Sequence, residues 1–420
     1  FFISSDGSAV VEHTSQVVYL NDGELACIGP DGLHVTTTDA IPVHKEVTEL
    51  EMTLEQIQLD GYEHHMLKEI NEQPASLRDA MRGRMHQGQV WLGGLQVIDR
   101  EWARCQRLML TGCGTAWHAG LIGEYLFEEL ARIPTEVQYA SELRYRNPIV
   151  EEGTLAVAIS QSGETADTLA ALHEVHTKGA TVLGLVNAVG STIARETDAG
   201  IYLHVGPEIG VASTKAFTAQ VAVLTLMAID LGRRRHLSAE YTAEILAELE
   251  QLPDKVAAAL DLDAQCAALA KRLTERDNWL YMGRGINFPV ALEGALKLKE
   301  ISYIHAEGLH AAEMKHGPIA LVDLDMPVIF VAALDSTYEK VLANIEEVNA
   351  RGGRIIAIAS KGDTRLEGLA EEVIYVPASH PLLSPILTTV PLQLIAYHAA
   401  LERGHDVDKP RNLAKSVTVE

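Results

Sequence analysis

Serine, glutamine, serine, glycine, glutamate and threonine follow one another at positions 160–165. Three hydroxyls, an amide and a glycine on one short stretch suit a cradle for a phosphate monoester. Gly163 lets the backbone approach a ligand closely. The stretch has no lysine, so it is not the P-loop of nucleotide triphosphate enzymes. A polar cap on a strand-to-helix turn accounts for the same residues, and the turn alone leaves both readings open. Glu293, Lys297 and Glu300 fall at i, i+4 and i+7 of a helical stretch and so share one face. On spacing alone that face reads as solvated ion pairs. His316 precedes Gly317-Pro318 and therefore sits on a loop. Lys415 lies beyond Pro410, which stops the preceding helix, in a segment that by default is mobile. Residues 208–217 read as a glycine-containing turn entering an apolar helix. His64 and His65 read as helix-surface residues, with no i, i+4 metal pair nearby.

To present those hydroxyls the chain needs a strand before them and a helix after them. Residues 154–159 are apolar and β-branched and read as a buried parallel strand. Residues 166–178 have helical composition and stop at Gly179. The partly positive start of that helix would face the turn. The pattern occurs twice. Residues 108–115 read as a strand running into a glycine turn, and 279–286 repeat the shape. The strand, helix and strand of 154–187 return at 326–360. Corresponding landmarks lie about 170 residues apart, which indicates a duplicated domain rather than a short-repeat array. Strands alternating with helices predict an α/β fold with two parallel sheets, each covered by helices on both faces. Ligands then belong at the carboxyl ends of the strands. The matching turn of the second copy carries Asp335, which would repel phosphate, so only the first copy is expected to hold an anion. Ahead of the repeat, residues 9–12, 17–20 and 24–28 read as short strands around Asn21-Asp22-Gly23 and Pro30-Asp31-Gly32. That piece is too small for its own core. Residues 41–60 read as an acidic linker, and from Gly61 the pattern turns helical.

The 420 residues are enough for two or more domains. A net charge of −24 gives no electrostatic footing for nucleic acid or an anionic membrane, so an anionic ligand must rely on local donors. Cys27, Cys105, Cys113 and Cys266 are scattered, which suits a reduced cytoplasmic protein without structural zinc. No apolar run reaches the roughly 20 residues of a membrane span.

Taken together, the motifs resemble one family, the isomerising glutamine–fructose-6-phosphate aminotransferases. They are Cys113-Gly-Thr115, Ser160-Gln-Ser-Gly-Glu-Thr165, Glu208-Ile-Gly-Val-Ala-Ser-Thr-Lys215, residues 296–307, Lys315-His-Gly-Pro318 and residues 410–420. The resemblance runs from about Tyr62 onward. It implies two tandem sugar isomerase (SIS) domains, at 61–245 and 246–403, preceded at 1–60 by a β-rich remnant of a glutaminase domain and a linker, and followed by a tail at 404–420. It implies that Ser160, Gln161, Ser162 and Thr165 hold the sugar phosphate with Thr115 nearby, and that Val211 and Ser213 line the sugar site. Glu300 would move a proton between C1 and C2, with Lys297 beside it. His316 would assist ring opening from the partner subunit of a homodimer. Lys415 would form a Schiff base with the C2 carbonyl of fructose 6-phosphate, on the way to glucosamine 6-phosphate. Neither a metal nor pyridoxal phosphate is expected.

These residue types suit that chemistry. Histidine can donate and accept protons near neutral pH, as opening a cyclic hemiketal requires. A lysine attacks a carbonyl only when neutral, which desolvation or nearby cations favour. Lys415 therefore has to leave solvent, and the tail is expected to fold over the sugar. Two departures from the family stand out. Ala116 replaces a frequent serine, which should weaken phosphate binding somewhat. The given sequence begins Phe1-Phe2, without the family's amino-terminal cysteine nucleophile, so use of free ammonia rather than glutamine is expected. Another SIS-type isomerase or deaminase, or a non-catalytic sugar-phosphate sensor, would share the turn but not Lys415.

Overall fold

Seven consecutive buried residues make Thr154–Ser160 the middle strand of a five-stranded sheet. Its side chains alternate between two apolar environments. Leu155, Val157 and Ile159 enter one core, while Ala156 and Ala158 enter another with Ala171, Leu172 and Val175 of the Ala166–Thr177 helix. A strand that is apolar on both faces belongs inside a sheet covered on both sides. Each fully buried Leu, Val or Ile contributes about 1.5–3 kcal/mol relative to exposure.

The computed structural model describes residues 1–4, 10–21, 23–50 and 58–419. It divides into two units, Phe1–Gly61 and Tyr62–Glu420. The larger unit contains the duplication. In the first copy the strands run parallel in the order Ala199–Tyr202, Thr181–Val186, Thr154–Ser160, Arg107–Gly112, Thr135–Tyr139. In the second the order is His305–His310, Asn278–Gly283, Pro327–Ala332, Arg354–Ser360, Glu372–Val376, again all parallel. Numbered within each copy, both sheets read 2-1-3-4-5. This doubly wound order places ligands where strands 1 and 3 lie side by side and their crossovers diverge. The Ser160 turn ends strand 3 of the first copy, and Cys113-Gly114-Thr115 follows strand 1. Both arms of the expected crevice therefore carry motif residues.

Ile329, Val331, Ile356 and Ile358 of the second sheet share one core cluster with Leu155 and Val157 of the first. The helices Lys215–Arg233 and Ser384–Glu402 run through it. By length and composition the segments Lys215–Arg233 and Pro381–Glu402 could span a membrane, contrary to the sequence expectation, but 94% and 89% of their apolar windows are buried inside this fold.

The smaller unit differs in detail from its sequence reading. Glu24–Gly29 forms as expected, and past the expected turn at Pro30-Asp31 it pairs as a hairpin with Gly32–Thr37, a strand the sequence reading did not include. Residues 10–13 form a turn rather than a strand, and Ala9 and Asp22 lie outside the described residues. Of the next expected strand, 17–20, only Val17 is in a strand, Gln16–Val17, which pairs with Thr48–Glu49. That pairing and the strand Pro42–Val43 lie in the stretch read as a linker, of which 51–57 lie outside the described residues.

Candidate active site

The Ser160 turn is locked from within. Ser160 Oγ accepts a hydrogen bond from Gly163 N at 2.9 Å, and Ser162 Oγ accepts one from Glu164 N at 3.2 Å. Gly163 has φ +67°, and a Cβ there would come within 2.0 Å of Ser191 Oγ. The motif's carboxylate would oppose a bound phosphate, but Glu164 is tied elsewhere. Its two oxygens accept from Thr192 N at 2.8 Å and Thr192 Oγ1 at 2.7 Å. Thr165 is the residue before the Ala166–Thr177 helix, so the positive helix end adjoins the turn. Gln161 accepts from Asn187 N and Ala188 N through its carbonyl, each at 3.3 Å, which leaves its side-chain amide out of the turn's own bonding.

The helix Phe288–Ser302 comes from the second copy, and its charged face is not solvated as its spacing indicated. Glu293 and Lys297 are 0% and 1% exposed, whereas Glu300 is 21% exposed. Lys297 Nζ lies 3.4 Å from Glu293 Oε1 and 2.6 Å from Glu300 Oε2. It also donates to Thr115 Oγ1 at 3.0 Å, and Thr115 donates to Glu293 Oε1 at 3.1 Å. His118 Nδ1 and Glu293 Oε2 lie 2.7 Å apart. Burial works against the Lys297 charge, but Glu293 and Glu300 outweigh it and raise its pKa. Burial likewise opposes the Glu293 charge, and Lys297 with His118 outweighs it and lowers its pKa. Only Glu300 in this row reaches solvent, so it is the carboxylate a substrate could meet. Thr115 is bound into this row rather than into the Ser160 turn.

The tail is strapped down rather than mobile. Asp408 accepts from the N–H groups of His65 and Met66, both at 2.8 Å, capping the His65–Met81 helix. Asp408 O accepts from Val211 N at 3.1 Å. Arg411 stacks over the Tyr303 ring at 4.1 Å, just past the Lys297 helix. Lys415 Nζ donates to Glu208 Oε2 and to Gly210 O, both at 2.8 Å. Ser416 Oγ then donates to Ser162 Oγ at 3.1 Å, and Ala166 N donates to Val417 O at 3.1 Å. The tail thus joins the lysine seat to the Ser160 turn.

Glu208 was part of a quoted motif but had no assigned role. Its Oε1 accepts from Thr214 N at 2.9 Å and Ala216 N at 3.1 Å, and its Oε2 accepts from Ser213 Oγ at 2.8 Å. Burial pushes its carboxyl up, but Lys415 and these backbone donors prevail and hold it at about 2. Lys415 therefore contacts a carboxylate; of the two ways of favouring a neutral lysine that the sequence argument named, nearby cations are not what touches it. Val211 and Ser213 lie on this same loop. Glu69, buried behind it, had no signal in the sequence, because an acid on an amphipathic helix reads as surface.

His316 stands apart. It is exposed on the turn Glu313–His316 of the second copy and forms no hydrogen bond or ion pair within the described residues. His64, read as a helix-surface residue, precedes the His65–Met81 helix and lies 2.9 Å from the Tyr397 hydroxyl through Nδ1.

The SIS domain family matches residues 102–230 and 272–403. A glutamine–fructose-6-phosphate aminotransferase (isomerizing) of Chlorobaculum tepidum is 58% identical over 422 residues, covering 100% of this chain and 69% of the relative. One of the same name from Thermus thermophilus is 50% identical, with coverage of 100% and 69%. The solved C-terminal domain of glucosamine-fructose-6-phosphate aminotransferase from Francisella tularensis superposes with a TM-score of 0.81 at 37% identity, covering 84% of this chain and 100% of that one. With its motifs, its two matched domains and relatives that align along its whole length, the chain belongs to the isomerizing glutamine–fructose-6-phosphate aminotransferases and is an enzyme of that family.

Proposed function

We propose that this chain converts fructose 6-phosphate and ammonia into glucosamine 6-phosphate at the crevice between strands 1 and 3 of the first SIS domain. One observation carries the proposal. Lys415 Nζ is seated on Glu208 and Gly210, and the next residues of the same segment bond to the Ser160 turn. An amine nucleophile is thereby held beside a site suited to a phosphate.

The phosphate is received by the Ser160 and Ser162 hydroxyls, Gln161, Thr165 and the helix start. Thr115 contributes from the opposite arm of the crevice. Val211 and Ser213 line the sugar. His316, supplied by the partner subunit of a homodimer, moves the ring-opening proton. Lys415 Nζ bonds to C2, and the carbonyl oxygen leaves as water. Ammonia replaces the lysine at C2, which frees Lys415 and leaves a C2 imine. Glu300 takes a proton from C1 and returns it to C2, through an enolamine, while the C1 hydroxyl becomes the aldehyde. Lys297, charged and 2.6 Å from Glu300, offsets negative charge developing at the C1 oxygen. Glu293 and His118 hold Lys297 in place.

Ammonia is supplied from glutamine by a glutaminase domain of which residues 1–60 are the end. The proposed limits of the remaining parts are 61–245, 246–403 and 404–420. Four cysteines without disulfides accord with a reducing, cytoplasmic setting.

The test is product formation from fructose 6-phosphate with ammonium or with glutamine. Glucosamine 6-phosphate with ammonium alone is the expected outcome. Tight sugar-phosphate binding without product from either nitrogen source would replace this proposal with a sensor.

A further inference from the structure

Behind the loop that seats Lys415 lies a second buried glutamate, to which the chemistry above gives no task. Glu69 sits on the His65–Met81 helix and is 2% exposed. Its Oε1 accepts hydrogen bonds from the N–H groups of Ile209 and Gly210, the latter at 3.1 Å. Its Oε2 is buried without a hydrogen-bond partner. Gly210 is the residue whose carbonyl accepts from Lys415, and a Cβ on it would stand 3.0 Å from Glu69 Oε2. One carboxyl thus grips the two peptide units that lead into Gly210, whose carbonyl forms half of the lysine's seat. The helix bearing it is itself capped by Asp408 of the tail.

We infer that Glu69 is a positioning residue for Lys415, clamping the 209–210 backbone from behind and modulating the charge around the amine. The inference rests on Lys415 being the Schiff-base lysine. Several charged groups face the site. Glu208 and Lys415 lie across the loop, and Lys215 pairs with Glu72 at 2.6 Å. Lys68 and Glu72 share the helix of Glu69, and Asp408 caps its start. Burial, and then the Glu208 charge, push the Glu69 carboxyl up to about 8, against the pull of Lys415 and Lys215. Near neutral pH Glu69 is therefore mostly protonated, and Lys415 meets one carboxylate. Above that range a second carboxylate appears and favours the ammonium form, which is not nucleophilic.

The test is borohydride trapping of the Lys415 imine with fructose 6-phosphate, followed by mass spectrometry across pH. Glu69→Gln keeps an oxygen that can accept from Ile209 and Gly210 but cannot ionise. It is expected to trap at a normal maximal rate, with the midpoint of the rising pH limb moved down by about one unit. An unchanged midpoint overturns the inference. Lys415→Ala is run alongside. If it still traps sugar elsewhere, the Schiff-base reading fails; if it does not trap while Glu69→Gln matches wild type, only the role of Glu69 fails. Should Glu69→Gln not fold, the wild-type protein decides by infrared titration. A protonated-carboxyl C=O band that disappears on going from pH 7 to pH 9 is expected, and no such band at pH 7 overturns the inference.

Discussion

Glu208 and Glu69 carry the same functional group, are both buried, and each accept from two backbone N–H groups. What separates them is charge: Glu208 touches the Lys415 ammonium, whereas Glu69 feels the charge of Glu208. Their contributions to stability therefore run in opposite directions with pH. Glu208 titrates below its ordinary 4.5, so its stabilisation is present above that value and is lost as pH falls toward about 2. Glu69 titrates above 4.5, so the folded state holds its proton longer than the unfolded chain. Stability is then lost as pH rises from about 4.5 to about 8. Melting temperature against pH should accordingly flatten between 5 and 8 in Glu69→Gln, and the acid limb should shrink in Glu208→Gln. Parallel wild-type and mutant curves would contradict both assignments. At this scale the sequence showed the residues that lie in dense motifs, among them Ser160, Ser162, Glu300 and Lys415. It did not show Glu69, because burial is set by a loop 140 positions away in the chain. It also misjudged Glu293 and Lys297, because i, i+4 charges read as solvated unless one knows that Thr115 and His118 of the first copy cover them.

Among the elements, the strand-to-helix turn at 160–165 was legible because three local signals agree: an apolar run, a glycine and a helix start. Its conformation depends on Gly163, whose positive φ and contact with Ser191 exclude a side chain. Gly163→Ala should destabilise the protein by about 1–3 kcal/mol and weaken binding of fructose 6-phosphate more than an equally destabilising substitution in a distant helix does. Calorimetry and titration calorimetry on the same sample check this, and unchanged sugar affinity would show that the turn is not the phosphate seat. The tail was less legible. Its default is mobility, and the residues that tie it down, Tyr303, Glu208, Ser162 and the first N–H groups of the His65–Met81 helix, come from four separate places in the chain. Only the chemical requirement that a nucleophilic lysine leave bulk solvent pointed to its docking.

On the scale of the whole molecule, the duplication and the α/β class followed from the recurrence of strand and glycine turn, and the matching 2-1-3-4-5 orders agree with them. The short strands before residue 61 were read less well, since two-residue strands carry almost no periodic signal. His316 sits exposed on the second copy without a hydrogen bond or ion pair among the described residues, which suits the proposal that it acts across a dimer. Mixing inactive His316→Ala and Lys415→Ala subunits should then restore about a quarter of wild-type turnover, because half of the dimers are mixed and each has one intact site. No recovery on mixing would place His316 in its own subunit's chemistry, and an active His316→Ala would place it outside the reaction.

The two copies no longer do the same work. The first retains the polar turn, while the second has Asp335 at the corresponding position, engaged by Thr337 and Asn287. What the second copy offers the first is a helix, whose Glu293 and Lys297 bond to Thr115 across the shared core. Such contacts tie the two copies together. A substitution on the Phe288–Ser302 helix of one copy is felt at Thr115 of the other, so the boundary between them is expected to be a poor place for recombination although it looks like a junction between independent domains.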